Sequence, residues 1–203
     1  ERRAVLEQLR RTAPGTALAW LQELWAKEKA DNRAELLGTF LIGLAPTDED
    51  FLNAALVDRS KRVQAVAMRC LSRLPQSALA QRMKTRAEAM LAYTPPQTVG
   101  RLKATLRRIS GTADHGSLEI TLPAEFDREM QRDGIEEKPF QGIGQRAYWM
   151  LQIMSLVPPT HWETRFGAAP HDLVQAAAAS EHGVVVLQGW SEAAVGFNVA
   201  PWA

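Results

Sequence analysis

The sequence predicts an all-α chain of stacked antiparallel helix pairs, an α-solenoid, with one irregular acidic insertion. Three observations predict it. Pro14, Pro46 and Pro75 punctuate the first ninety residues at a spacing near thirty, a period typical of helical repeats. Each proline follows a run whose apolar residues recur at three- and four-residue steps, the signature of one buried helix stripe. Each is followed in turn by a second apolar stripe, so the unit is helix, tight turn, helix.

The elements follow in order. Leu36, Leu37, Phe40, Leu41 and Leu44 precede Pro46, and Val63, Val66, Ala67, Cys70, Leu71 and Leu74 precede Pro75. Proline lacks the N–H that would continue a helix and restrains its predecessor, so each stripe should stop there. Thr47 and Ser77 suit the N-caps of the returning helices, because a side-chain oxygen can accept from the free N–H groups of a first turn. Leu18, Leu21 and Trp25, then Phe51, Leu52, Ala55 and Leu56, then Leu79, Met83, Ala87 and Met90 supply the partner faces. One pair cannot bury its stripe alone, whereas stacked pairs share a continuous core.

The run from Asp58 through Val63 and Ala67 to Leu71 resembles a HEAT repeat, with Gln64 standing where such repeats carry arginine. More closely, Phe51-Leu-Asn-Ala-Ala-Leu-Val-Asp-Arg-Ser-Lys, Leu74-Pro-Gln-Ser-Ala-Leu-Ala-Gln-Arg-Met and Gly189-Trp190-Ser-Glu-Ala-Ala resemble an uncharacterised bacterial family of HEAT-like proteins. That resemblance implies a HEAT-like repeat fold and no assigned activity. It also implies genes encoded beside SWIM zinc-finger proteins, MoxR-type AAA+ ATPases and von Willebrand factor A domain proteins.

The expected organisation is helical repeats over 1–110, an insertion over 111–142 and further repeats over 143–203. Residues 99–109 read as a basic helix and 111–116 as a loop. The alternation of Leu118, Ile120 and Leu122 with Glu119 and Thr121 suits one short strand, and 124–132 a short acidic helix. Helical pattern resumes from Ile143 to Val157, apolar nearly all round. Pro158 to Pro170 reads as a polar surface loop. Helices follow over 170–180 and 184–199, where Ala193 and Ala194 favour a helix over a strand for the β-branched run Val184 to Val186. The sequence lacks an initial Met and ends just after an apolar helix pattern, which suggests a piece of a longer array.

Composition narrows function. The 203 residues are 46% hydrophobic and 23% charged with a net charge of +1, ordinary for a globular protein. No apolar run approaches the roughly 18 residues of a membrane span, and no apolar h-region follows the opening Glu1-Arg2-Arg3. The single cysteine, Cys70, excludes an intrachain disulfide and a Cys-x-x-Cys site, so a cytoplasmic location is expected. Cys70 falls on an apolar face and is expected in the core.

Catalytic signatures are missing, and neither a catalytic residue, a metal nor a cofactor is expected. His161, Glu163, His171 and Asp172 cluster in sequence but lack the i, i+4 spacing of helix-borne metal ligands. The His161-Trp-Glu163 triplet lacks the cysteine pair that a zinc deaminase needs. Gln141-Gly-Ile-Gly144 is not a phosphate loop, and no GxSxG elbow exists. Trp162, beside His161 in the expected loop, is the one tryptophan read as a candidate recognition residue.

Charge distribution is the unusual signal. Residues 59–108 hold twelve Lys or Arg against Glu88 alone, and residues 114–137 hold eight acids against Arg128 and Arg132. On a helix, Arg62, Arg69 and Arg73 fall within about 40° of one another. With Arg101, Lys103, Arg107 and Arg108 they form the candidate binding stripe. The expected function is a non-enzymatic scaffold whose basic stripe docks an acidic protein surface, with the AAA+ ATPase as the partner the resemblance implies. The alternative is nucleic-acid binding on a basic face, similar to the HEAT-like DNA glycosylases.

Overall fold

The computed structural model describes residues 1–96, 115–139 and 142–200, and these are mostly helical. They divide into two compact units, Glu1–Met83 with Phe126–Glu137, and Lys84–Glu125 with Lys138–Ala203. The sequence-defined insertion is therefore shared between them.

In the first unit, α1 (Arg2–Thr12) and α2 (Pro14–Trp25) pack together, α2 opening with Pro14 in its first turn, where a missing N–H costs nothing. Next come α3 (Ala30–Gly38), α4 (Glu49–Leu56), α5 (Lys61–Ser72) and α6 (Ala78–Glu88), whose last turn enters the second unit. Contacts of α1 with α3 and of α3 with α5 place these alternate helices side by side. Leu6, Leu21, Leu37, Phe40, Leu52, Val63, Ala67 and Leu71 fill the core, each large side chain contributing on the order of 1.5–3 kcal/mol.

The prolines end the first-helix stripes less sharply than the pattern predicts. α3 stops at Gly38, and a 3-10 turn at Thr39–Leu41 carries Phe40 inward, Thr39 Oγ1 donating to Leu36 O at 2.7 Å. Ser77 caps α6, its Oγ accepting from Ala80 N–H at 3.1 Å. Before α4 it is Asp48, not Thr47, whose side chain accepts a backbone N–H, that of Ala45 at 3.0 Å.

Buried ion pairs stitch this unit. The side chain of Arg10 is wholly enclosed, lies over the Phe40 ring at 4.2 Å and grips Asp48 at 2.9 and 2.6 Å. Its other donors reach Ile42 O, Gly43 O and Pro14 O, so all five N–H groups are used. Arg33 donates to Asp58 at 3.0 Å and to Glu28 O at 2.9 Å. Gln64 turns back to the Asp58 backbone carbonyl at 2.5 Å, and the Asp58 carboxylate is met by Arg33 of α3. From the insertion, α7 (Arg128–Arg132) is capped by Asp127, which accepts from Met130 N–H. Asp133 then receives both Nε and Nη2 of Arg82 at 3.0 and 2.6 Å.

In the second unit the expected strand has a partner. β1 (Leu91–Thr94) pairs antiparallel with β2 (Ser117–Ile120), Leu91 opposite Ile120 and Thr94 opposite Ser117. Four helices follow, α8 (Gln145–Ser155), α9 (Pro159–Phe166), α10 (Pro170–Ala178) and α11 (Gly183–Phe197). The expected surface loop at 158–170 is instead largely α9. Pro158 and Pro159 start a helix, Pro159 being its first residue, and Gly167 at φ 61° stops it. The α8–α11 contact is the most extensive between helices among the described residues. Gly189 permits it, since a Cβ there would lie 2.5 Å from Met154 Cβ. The Gly189-Trp190 motif is thus a packing device.

Candidate functional site

Three residues of the basic stripe are described, Arg62 and Arg69 in α5 and Arg73 as the residue that caps its C-terminus. Arg62 and Arg69 line a groove of about 550 Å³ built on the α1, α3 and α5 layer. Their seven-residue separation is two turns, which sets their Cα atoms about 10.5 Å apart along the helix. α1 contributes Arg3 and Glu7, and α3 contributes Glu35. Val66, Leu41 and Ile42, all partly exposed, form an apolar floor.

The groove carries both signs of charge. Arg3 pairs with Glu7 at 2.8 Å and with Glu35 at 3.5 Å. Arg62 meets Asp31 at 3.0 Å, but both side chains are well exposed, so water and salt screen that pair heavily. Arg69 has no carboxylate partner among the described residues. Arg73, one turn on at the C-terminal end of α5, has none either, and its Nε is buried without a hydrogen-bond partner. Burial, and then the neighbouring Arg69 charge, hold the Arg73 guanidinium below the ordinary arginine range. The end of α5 therefore presents two like charges that nothing described neutralises.

Arg101, Lys103, Arg107 and Arg108 lie outside the described residues. Arg82, from the same basic stretch, is engaged by Asp133 of the acidic insertion and is held above its usual value mainly by that hydrogen bond. The acidic insertion thus takes up one cation of the run. The sequence could not have indicated Arg3, Glu7 and Glu35 as groove residues, because they come from other helices and no local pattern links them to α5.

Trp162, the candidate recognition residue of the expected loop, is fully enclosed. It sits on the inner face of α9, stacked on Phe166 at 5.5 Å and tilted against Trp190 at 6.3 Å. A flat, mostly apolar ring on a helix gains more from that burial than from solvent. The residues around it do not converge on one point. His161 Nε2 lies 2.8 Å from Glu88 Oε1, at ion-pair distance but without hydrogen-bond alignment. Asp172 instead receives His115 Nδ1 at 2.8 Å, with His171 edge-on to the His115 ring. Among the described residues no three His, Cys, Asp or Glu side chains assemble as a metal cluster. No helix among them is long and apolar enough to cross a membrane. Cys70 is in the core, where burial pushes its thiol up to about 12 and removes thiolate reactivity at neutral pH.

A family model described as a family of unknown function (DUF5691) matches residues 1–203, the full length of the chain. No curated protein and no solved structure matches it.

Proposed function

We propose that this chain, which belongs to that family of unknown function, is a non-enzymatic protein-interaction scaffold, a HEAT-like array whose α1, α3 and α5 layer presents a docking groove. The observation that carries the reading is the groove itself: Arg69, which has no carboxylate partner among the described residues, beside an apolar floor, with Glu7 and Glu35 lining the same groove. Mixed charge around apolar surface suits a protein partner, because it fixes register and rejects wrong partners. The buried Arg10–Asp48 and Arg33–Asp58 pairs tie α1 and α3 to the residues flanking α4 and brace such a face. A cytoplasmic MoxR-type AAA+ ATPase system is the setting that the HEAT-like family resemblance suggests.

Nucleic-acid binding is the second reading, favoured by Arg69 and Arg73, which have no carboxylate partner among the described residues, and weakened by the two carboxylates, which would face a phosphate backbone. Affinity capture from lysate, with and without nuclease, separates the two. The scaffold reading expects a protein that survives nuclease and is lost when Arg62, Arg69 and Arg73 all become Glu. Recovery of nucleic acid alone, with affinity falling steeply in salt, would transfer the assignment to the second.

A further inference from the structure

We infer that the groove on α5 receives an acidic segment of the partner, with carboxylates spaced about 10 Å apart on either side of an apolar side chain. This rests on the scaffold reading and gives its partner a chemistry. Arg62 and Arg69 stand two helical turns apart on one wall, with Val66 between them and Leu41 and Ile42 beneath. A carboxylate at the Arg69 end also meets the field of Arg73, one turn further on, because neither arginine has a carboxylate partner among the described residues. The other carboxylate displaces Asp31 from Arg62, a weak competitor because that pair is solvent-exposed. Glu7 and Glu35 already hold Arg3, so they balance that end and oppose a continuous polyanion. A partner helix meets this spacing with acids at i and i+7 and an apolar residue at i+3 or i+4. A polyphosphate does not, having charge at every step and no apolar group.

The test is a fluorescence-anisotropy titration of the full chain with a labelled helical peptide carrying Glu at i and i+7 and Leu at i+3 and i+4. The expected result is saturable binding, weakened at least tenfold by Arg69→Glu and again by Arg62→Glu. A peptide with Lys in place of Glu should recover affinity for the Arg62→Glu, Arg69→Glu double variant. Circular dichroism confirms that these exposed-site variants remain folded. Equal binding by wild type and variants, no rescue by the Lys peptide, or equal binding of a peptide with its acids moved to i and i+2 would each overturn the inference. A labelled single-stranded oligonucleotide that outcompetes the peptide overturns it too. Because capture from lysate reports a partner on any face, failure of the peptide with capture intact rejects the groove chemistry and leaves the scaffold reading standing.

Discussion

The two units of this chain are held together by different physics. The first is cross-linked by charge: Arg10 with Asp48, Arg33 with Asp58 and Arg82 with Asp133, each at least partly withdrawn from water. The second relies on shape, with α8 and α11 in close approach at Gly189 and an aromatic cluster of Trp162, Phe166 and Trp190. Buried ion pairs are directional and tolerate little loss of either partner, whereas close-packed apolar surfaces are sensitive to volume. The contrast suits a docking function in the first unit, since directional bonds fix the helices whose outer faces line the groove.

The sharpest way to break this contrast is Asp48→Ala, which strands the wholly enclosed Arg10 guanidinium. Urea denaturation should show a loss of about 3–5 kcal/mol. In the second unit the matching insult is steric. Gly189→Val drives a side chain into Met154 and should cost about 3 kcal/mol, the upper end for overpacking, while the conservative Asp172→Asn leaves that helix crossing untouched. Arg82→Ala tests whether charge also pins the insertion. It should destabilise by about 1–2 kcal/mol and speed amide exchange over 126–137 ahead of the helices beneath.

The effect that vanishes at neutral pH belongs to Cys70. Its folded thiol is pushed up to about 12 while the unfolded one titrates near 9.0, so unfolding releases a proton across that window. The stability it contributes is fully present below pH 9 and falls above it, by about 1.4 kcal/mol for the first pH unit. A Cys70→Ala variant should lack that alkaline limb, and native protein at pH 8 should resist thiol reagents until denaturant is added.

Periodic apolar stripes make most helices of both units legible from residue spacing alone, and Cys70 and Ser77 stand in the environments their neighbours imply. What spacing hides is tertiary. Arg10 and Arg11 look alike in sequence, yet one is enclosed and the other exposed, because only Arg10 faces Asp48, 38 residues away. β1 follows a helix without a break in apolarity, and its partner lies beyond the basic stretch, so local pattern reveals one strand and not the ribbon. α9 is obscured by consecutive prolines, which read as a stop but here serve as a start. The groove is half visible, since spacing aligns Arg62 with Arg69 but no spacing rule reaches from α5 to Arg3 or Glu35.

The β1–β2 ribbon carries a different consequence, for how this sequence can change. Thr94 lies opposite Ser117, so the chain leaves the ribbon and rejoins it at neighbouring points. For a flexible loop closed between such fixed ends, the entropy cost grows in general only with the logarithm of loop length, and doubling the length costs about 0.6 kcal/mol. Sequence gained at this point leaves the strand register untouched.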